Sequence, residues 1–180
     1  MILSSHIIVA SAASAQFASR PADLSNSLIV FVVSFISHYA LDFIPHWDYH
    51  LASIKKFPAD NNSYEEKKFI ISFRTISSDL FKNLIDGIIG LSGAVLILGF
   101  PTDFEKLFLI FIAVFASILP DALEVCYLIF KKFPLTLIHR FHHFTHTRKV
   151  FEGRPFFGII SQIISVAIIS AVLFLLANWF

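Results

Sequence analysis

Cysteine is almost missing from this chain. Cys126 is the only one in 180 residues and it sits inside an apolar run, which rules out an internal disulfide and any Cys-rich zinc module and leaves the redox compartment unreadable. Charge is scarce too: 15% of residues are charged and the net charge is +1, so the basic footprint of a nucleic-acid binder is absent. No internal repeat, low-complexity tract or second domain interrupts the sequence. No lysine or arginine lies between Leu28 and Pro45 or between Leu107 and Phe130. None precedes the first apolar stretch either, so the "ASA" at Ala13 to Ala15 is not expected to act as a signal-peptidase site.

What the chain does have is apolar mass, with 56% hydrophobic residues and 22 phenylalanines, far more than an ordinary soluble domain carries. A membrane helix needs about 20 apolar residues at about 1.5 Å rise each. Four runs meet that need: residues 28–45, 84–100, 104–130 and 156–180. A fifth, residues 2–18, is short and rich in serine and alanine, and its small side chains suit close helix contact. The expected fold is all-α, a polytopic membrane helix bundle of four to five transmembrane helices forming one integral membrane domain over residues 1–180, with a polar site at the cytoplasmic interface.

Positive charge is concentrated in two connections. Lys55, Lys56, Lys67, Lys68, Arg74 and Lys82 fall in one; Lys131, Lys132, Arg140, Arg148, Lys149 and Arg154 fall in the other; only Arg20 and Lys106 lie elsewhere. By the positive-inside rule both connections face the cytoplasm. Thr102 with Glu105, and Ser63 with Glu66, fit the S/T-x-x-E capping box that starts a helix. After the second of these, Phe69, Phe73, Ile76 and Leu80 share one helical face, which predicts an amphipathic interfacial helix over about residues 64–80. The "FPADNNS" stretch from Phe57 to Ser63 reads as a loop.

Polar residues then gather at one predicted level. In "SHYALDFIPHWDYH" (37–50), His38 and Asp42 are one turn apart on the same helical face. Pro45 ends that helix, placing Asp42 about 5 Å and His38 about 10 Å inside the interface. Asp86, Asp121, Glu124, His6 and the "HRFHHFTHT" segment with His139, His142, His143 and His146 are expected at the same cytoplasmic side. An ionised carboxylate in mid-membrane costs roughly 2.5 to 3.5 kcal/mol, so Asp42, Asp86, Asp121 and Glu124 together cost on the order of 10 kcal/mol if left unpaired. Protonation, cavity water, histidinium or a bound divalent metal would offset that, and a metal would also use the surplus histidines. Trp47 and Tyr49 read as interface-belt aromatics, and His50 and His139 as surface residues.

These residues resemble those of a known family, the predicted bacterial membrane-bound metal-dependent hydrolases. "SSH" with His6, "SHYALD" with His38 and Asp42, "ILPD" with Asp121 and "HHFTHT" with His146 look like that family's four boxes. The "SHxxxD" element precedes "LPD" here, the histidine box lacks its glycine, and the "PHWD" that adds His46 and Asp48 has no counterpart in the pattern. The resemblance implies a multi-helix inner-membrane protein and metal-dependent hydrolysis.

The leading expectation is therefore a hydrolase of an ester or phosphodiester, a lipid among the candidate substrates, working at the cytoplasmic face of the cell membrane. His6, His38, Asp42, Asp121 and His146 are the first-choice metal ligands, followed by His142 and His143, with His46 in the same set; Asp48 or Glu124 is the candidate general base. Mixed nitrogen and oxygen donors suit zinc first, and also manganese or iron. Beyond the lipid bilayer and a lipid or small-molecule substrate, no partner is indicated. One alternative is a membrane di-iron oxygenase, because "HRFHH" matches H-x-x-H-H. Another is a non-catalytic protein in which histidine and aspartate carry protons or metal.

Overall fold

The computed structural model describes residues 2–18, 20–57, 66–146, 151 and 154–179. Within them lie six helices and one two-stranded hairpin: α1 (Leu3–Ala18), α2 (Leu24–Asp42), β1 (Ile54–Phe57), β2 (Glu66–Phe69), α3 (Phe73–Leu98), α4 (Phe104–Phe130), α5 (Leu135–Thr145) and α6 (Pro155–Trp179). The fold is an all-α bundle. Four of the helices, α2, α3, α4 and α6, are long and apolar enough to cross a membrane. Their outward faces carry Leu28, Ile36, Leu84, Ile88, Phe111, Ile163 and Leu175, all exposed. A surface this apolar is stable only against lipid or another apolar layer.

The short first run is the centre of the bundle. At 16 residues α1 spans about 24 Å, and it packs against α2, α3, α4 and α6. Ser4, Ser5, Ala10, Ser11, Ala12 and Ser14 are buried along it, and these small side chains let four neighbours approach closely. Two of its hydroxyls bond within the helix: Ser11 donates to the Ile7 carbonyl and Ser14 to that of Ala10, both at 2.8 Å. The Asp86 carboxylate of α3 accepts the Leu3 N–H at 2.6 Å, capping α1 where the helix dipole favours negative charge.

Glycine on α3 makes the α1 contact possible. A Cβ at Gly90 would lie 2.8 Å from Ile7 Cδ1 and 2.9 Å from Ser4 Cα, whereas one at Gly87 would meet nothing closer than 3.8 Å. Gly90→Leu should therefore push α1 off its seat and cost about 1–3 kcal/mol or more by overpacking. Thermal unfolding in detergent checks this, with a clear drop for Gly90→Leu and almost none for Gly87→Ala.

Several sequence expectations are revised. The helix expected over residues 64–80 does not form as a unit: Glu66–Phe69 is a strand, paired antiparallel with Ile54–Phe57 in the register Ile54 to Phe69 and Phe57 to Glu66. Phe73 onward is instead the first part of α3, because its apolar face runs into the span with no proline or glycine break before Gly87. The cap of α4 is Asp103, which accepts the Lys106 N–H at 2.8 Å, while Thr102 donates to Asp103 rather than capping. The histidine-rich segment, expected as part of the connection between two spans, is helix α5 as far as Thr145. The Ser63 capping position, residues 58–63 of the expected loop, and Arg148 and Lys149 lie outside the described residues.

Candidate metal centre

Helix ends and one linker build the site. α2 contributes His38 and Asp42, its buried stripe continuing from Asn26 and Ser34. α1 brings His6, α4 brings Asp121 just after Pro120, α5 brings His142 with His146 at its C-cap, and the segment after α2 brings His46 and Asp48. His6, His38, Asp42, His46 and His142 are all buried. Asp42 is the hub. Its Oδ2 lies 3.2 Å from Nε2 of both His38 and His142, and its Oδ1 lies 3.4 Å from His6 Nε2 and 3.9 Å from His146 Nε2. Asp121 Oδ1 is 3.7 Å from Nε2 of His38 and of His142. Three overlapping triads result, each within ligand reach of one ion: His6, His38 and Asp121; His38, Asp42 and His142; Asp42, His46 and His146.

Tautomers decide what these contacts mean. His38 Nδ1 lies 2.6 Å from the Ser117 carbonyl and His46 Nδ1 lies 2.7 Å from the Ile44 carbonyl. A carbonyl can only accept, so each Nδ1 carries the proton and donates, and the neutral ring presents its Nε2 lone pair to the cluster. Pro120 lacks an N–H and crowds the carbonyl four residues back, in the same turn that presents Ser117. Burial pushes the His146 imidazole down to about 3, leaving it neutral at pH 7.

In their neutral form these rings would set Nε2 lone pairs against carboxylate oxygens, acceptor against acceptor. His6 Nδ1 and Nε2, His38 Nε2, His46 Nε2 and both His142 ring nitrogens find no hydrogen-bond partner among the described residues. One carboxylate charge can balance one histidinium, yet four imidazoles crowd Asp42, and the His6 and His38 rings stack at 3.8 Å, which disfavours charging both. A divalent cation would resolve the conflict. Metal bonds of about 2.0–2.2 Å in a tetrahedral shell put ligand atoms about 3.3–3.6 Å apart, and the separations around Asp42 and Asp121 bracket that range. The residues present fit a metal ion better than they fit a hydrogen-bonded core.

Not every candidate joins the cluster. Glu124 accepts from His139 Nδ1 at 2.7 Å, and the His139 ring stacks on Tyr127 at 4.0 Å, so His139 is half-buried and paired rather than a surface residue. His143 lies on the exposed side of α5 and belongs to none of the triads. Asp48 Oδ2 is 3.5 Å from His46 Nε2, at the edge of the site. His50 is exposed, as its position suggested. Trp47 and Tyr49 are half-buried: the Trp47 carbonyl accepts from Gln162, Tyr49 donates to Asn83 at 2.5 Å, and Trp47 lies against Gly158.

Sequence reasoning missed how the linker is held. Asp79 accepts from the Ala52 and Ser53 N–H groups and from the Ser53 hydroxyl at 2.6–2.7 Å, clamping the segment that carries His46 to α3. It missed the Ser117 and Ile44 carbonyls as well, since backbone acceptors leave no residue-type signal. Fold and site together define an all-α bundle of membrane type with a buried histidine and aspartate cluster spaced like a metal shell. No family model, curated protein or solved structure matches the chain.

Proposed function

We propose that the protein is a membrane-embedded, metal-dependent hydrolase of an ester or phosphodiester, acting on a lipid at the cytoplasmic face of the inner membrane. The observation that carries this reading is the meeting of Nε2 lone pairs and carboxylate oxygens at ligand spacing while the Asp121 side chain stays 43% exposed. His38, Asp42, His142 and Asp121 would hold the ion, and the open Asp121 side would admit substrate. The ion, zinc or manganese by its donors, would supply a Lewis acid and make water a competent nucleophile near neutral pH. Asp48, partly exposed and 3.5 Å from His46 Nε2, stands nearer the cluster than Glu124, which accepts from His139.

Phe43, Phe141 and Phe144 are exposed near the ends of α2 and α5 that carry Asp42 and His142, an apolar surface that would suit acyl chains. The oxygenase alternative is weakened by the placement of "HRFHH": His139 turns to Glu124, His142 enters the cluster and His143 faces outward. Purified protein should cleave a chromogenic phosphodiester or ester without oxygen or reductant, lose that activity to a chelator and regain it with zinc or manganese. No turnover across such a panel by metal-loaded protein would remove the hydrolase reading.

Sidedness rests on 12 of the 14 lysines and arginines falling in the two stretches between the apolar runs, residues 46–83 and 131–155, two of them (Arg74 and Lys82) in the first turns of α3. In a Cys126→Ser background, cysteines introduced at exposed His50 and Lys132 should resist a membrane-impermeant thiol reagent in intact cells and react after permeabilisation. One at exposed Thr102 should react from outside. Labelling of His50→Cys or Lys132→Cys in intact cells would reverse the orientation.

A further inference from the structure

Resting on that metal-dependent reading, we propose that the centre takes two divalent cations bridged by the Asp42 carboxylate. The three triads cannot all be filled. His38 has one nitrogen to offer, since Nδ1 is committed to the Ser117 carbonyl, so the His6, His38, Asp121 triad and the His38, Asp42, His142 triad compete for the same Nε2. Asp42 differs, because its two oxygens face different partners.

Around Oδ2 stand His38 and His142, each 3.2 Å away, and Asp121 Oδ1 lies 3.7 Å from both of those rings. His38, Asp42 and His142 lie within reach of one ion and make the first position, with Asp121 bordering it beside the two rings. Around Oδ1 stand His6 at 3.4 Å and His146 at 3.9 Å. His46 completes a triad with Asp42 and His146 through its only available nitrogen, Nε2, and Asp48 lies beyond it at 3.5 Å. The two positions share no donor atom, only the carboxylate. Asp42, Asp121 and Asp48 bring three carboxylates to the cluster, and the His46 and His146 donors have no place in the first position. Two ions clamped about a shared ligand are suited to in-line displacement at a phosphoryl centre, which narrows the proposed ester to a phosphodiester.

Full-length protein in detergent, stripped and reloaded with manganese(II), tests the bridge by bound metal per chain and by electron paramagnetic resonance. Two ions per chain and the multiline spectrum of a coupled pair are expected for the wild type. His46→Ala/His146→Ala should keep one ion and show the isolated six-line signal, and His38→Ala/His142→Ala should likewise drop to one. Unchanged elution and helical circular dichroism show that the variants fold, and the wild-type spectrum decides the matter if they do not. One ion per chain, or two that are uncoupled, overturns the bridge while leaving the metal-dependent reading intact. No bound ion overturns both.

Discussion

His38→Ala protein, purified and reloaded with zinc or manganese, should bind less metal than the wild type and lose turnover by more than the about 10- to 100-fold that removal of a partner one step outside a metal shell costs. The reason is local. His38 is fully buried, it donates to Ser117 from one side of the ring, and the other side points its lone pair at Asp42 and Asp121. Asp42→Asn should be at least as damaging, because the amide keeps the shape while removing the charge that four imidazoles surround. His50→Ala and His143→Ala, whose side chains are exposed and outside the triads, should retain wild-type metal content. Wild-type turnover in Asp42→Asn would remove the cluster from the chemistry.

Metal removal should also destabilise the fold. A ligand that binds only the folded state adds about 2.7 kcal/mol at a hundredfold excess over its Kd, and an ion held by His38, Asp42, His142 and Asp121 would tie α2, α4 and α5 together. Chelation should lower the unfolding midpoint by several degrees at this chain length, and zinc should restore it. The His38→Ala/His142→Ala variant, left with the Asp42, His46 and His146 position alone, should show a smaller shift with chelator and zinc than the wild type. An unchanged wild-type midpoint under chelation, in protein shown to have held metal, would contradict this coupling.

Helices were the legible part of the fold. The run 104–130 coincides with α4, and the runs at 28–45, 84–100 and 156–180 fall largely within α2, α3 and α6, because unbroken apolar stretches of that length have few other solutions. The hairpin was not legible. "IKKF" and "EKKF" are too short to display a period of two, and their facing lysines, Lys55 to Lys68 and Lys56 to Lys67, are a pairing that charge alone argues against. α1 was ambiguous for a physical reason: its serines and alanines read as weak hydrophobicity along the chain, yet they are what lets it sit at the centre.

The site was legible to the extent that helical spacing governs it. His38 with Asp42, and His142 with His146, each stand four residues apart on one face, and energetics singled out carboxylates in apolar surroundings. Roles set by rotation or by backbone were hidden. Nothing in "HHF" says that His142 turns in and His143 out, nothing in "LIDG" says that Asp86 caps α1 rather than lining a crevice, and Ser117 acts through its carbonyl.

X-ray absorption at the zinc edge, on wild-type protein reloaded with stoichiometric zinc, addresses the metal centre most directly. The expected spectrum has a nitrogen and oxygen shell at about 2.0–2.2 Å with the outer-shell scattering of several imidazoles, and His38→Ala/His142→Ala should lose part of that imidazole signal. Zinc surrounded by oxygen alone, or an imidazole signal that the double substitution leaves untouched, would contradict a centre built on His38, Asp42, Asp121 and His142.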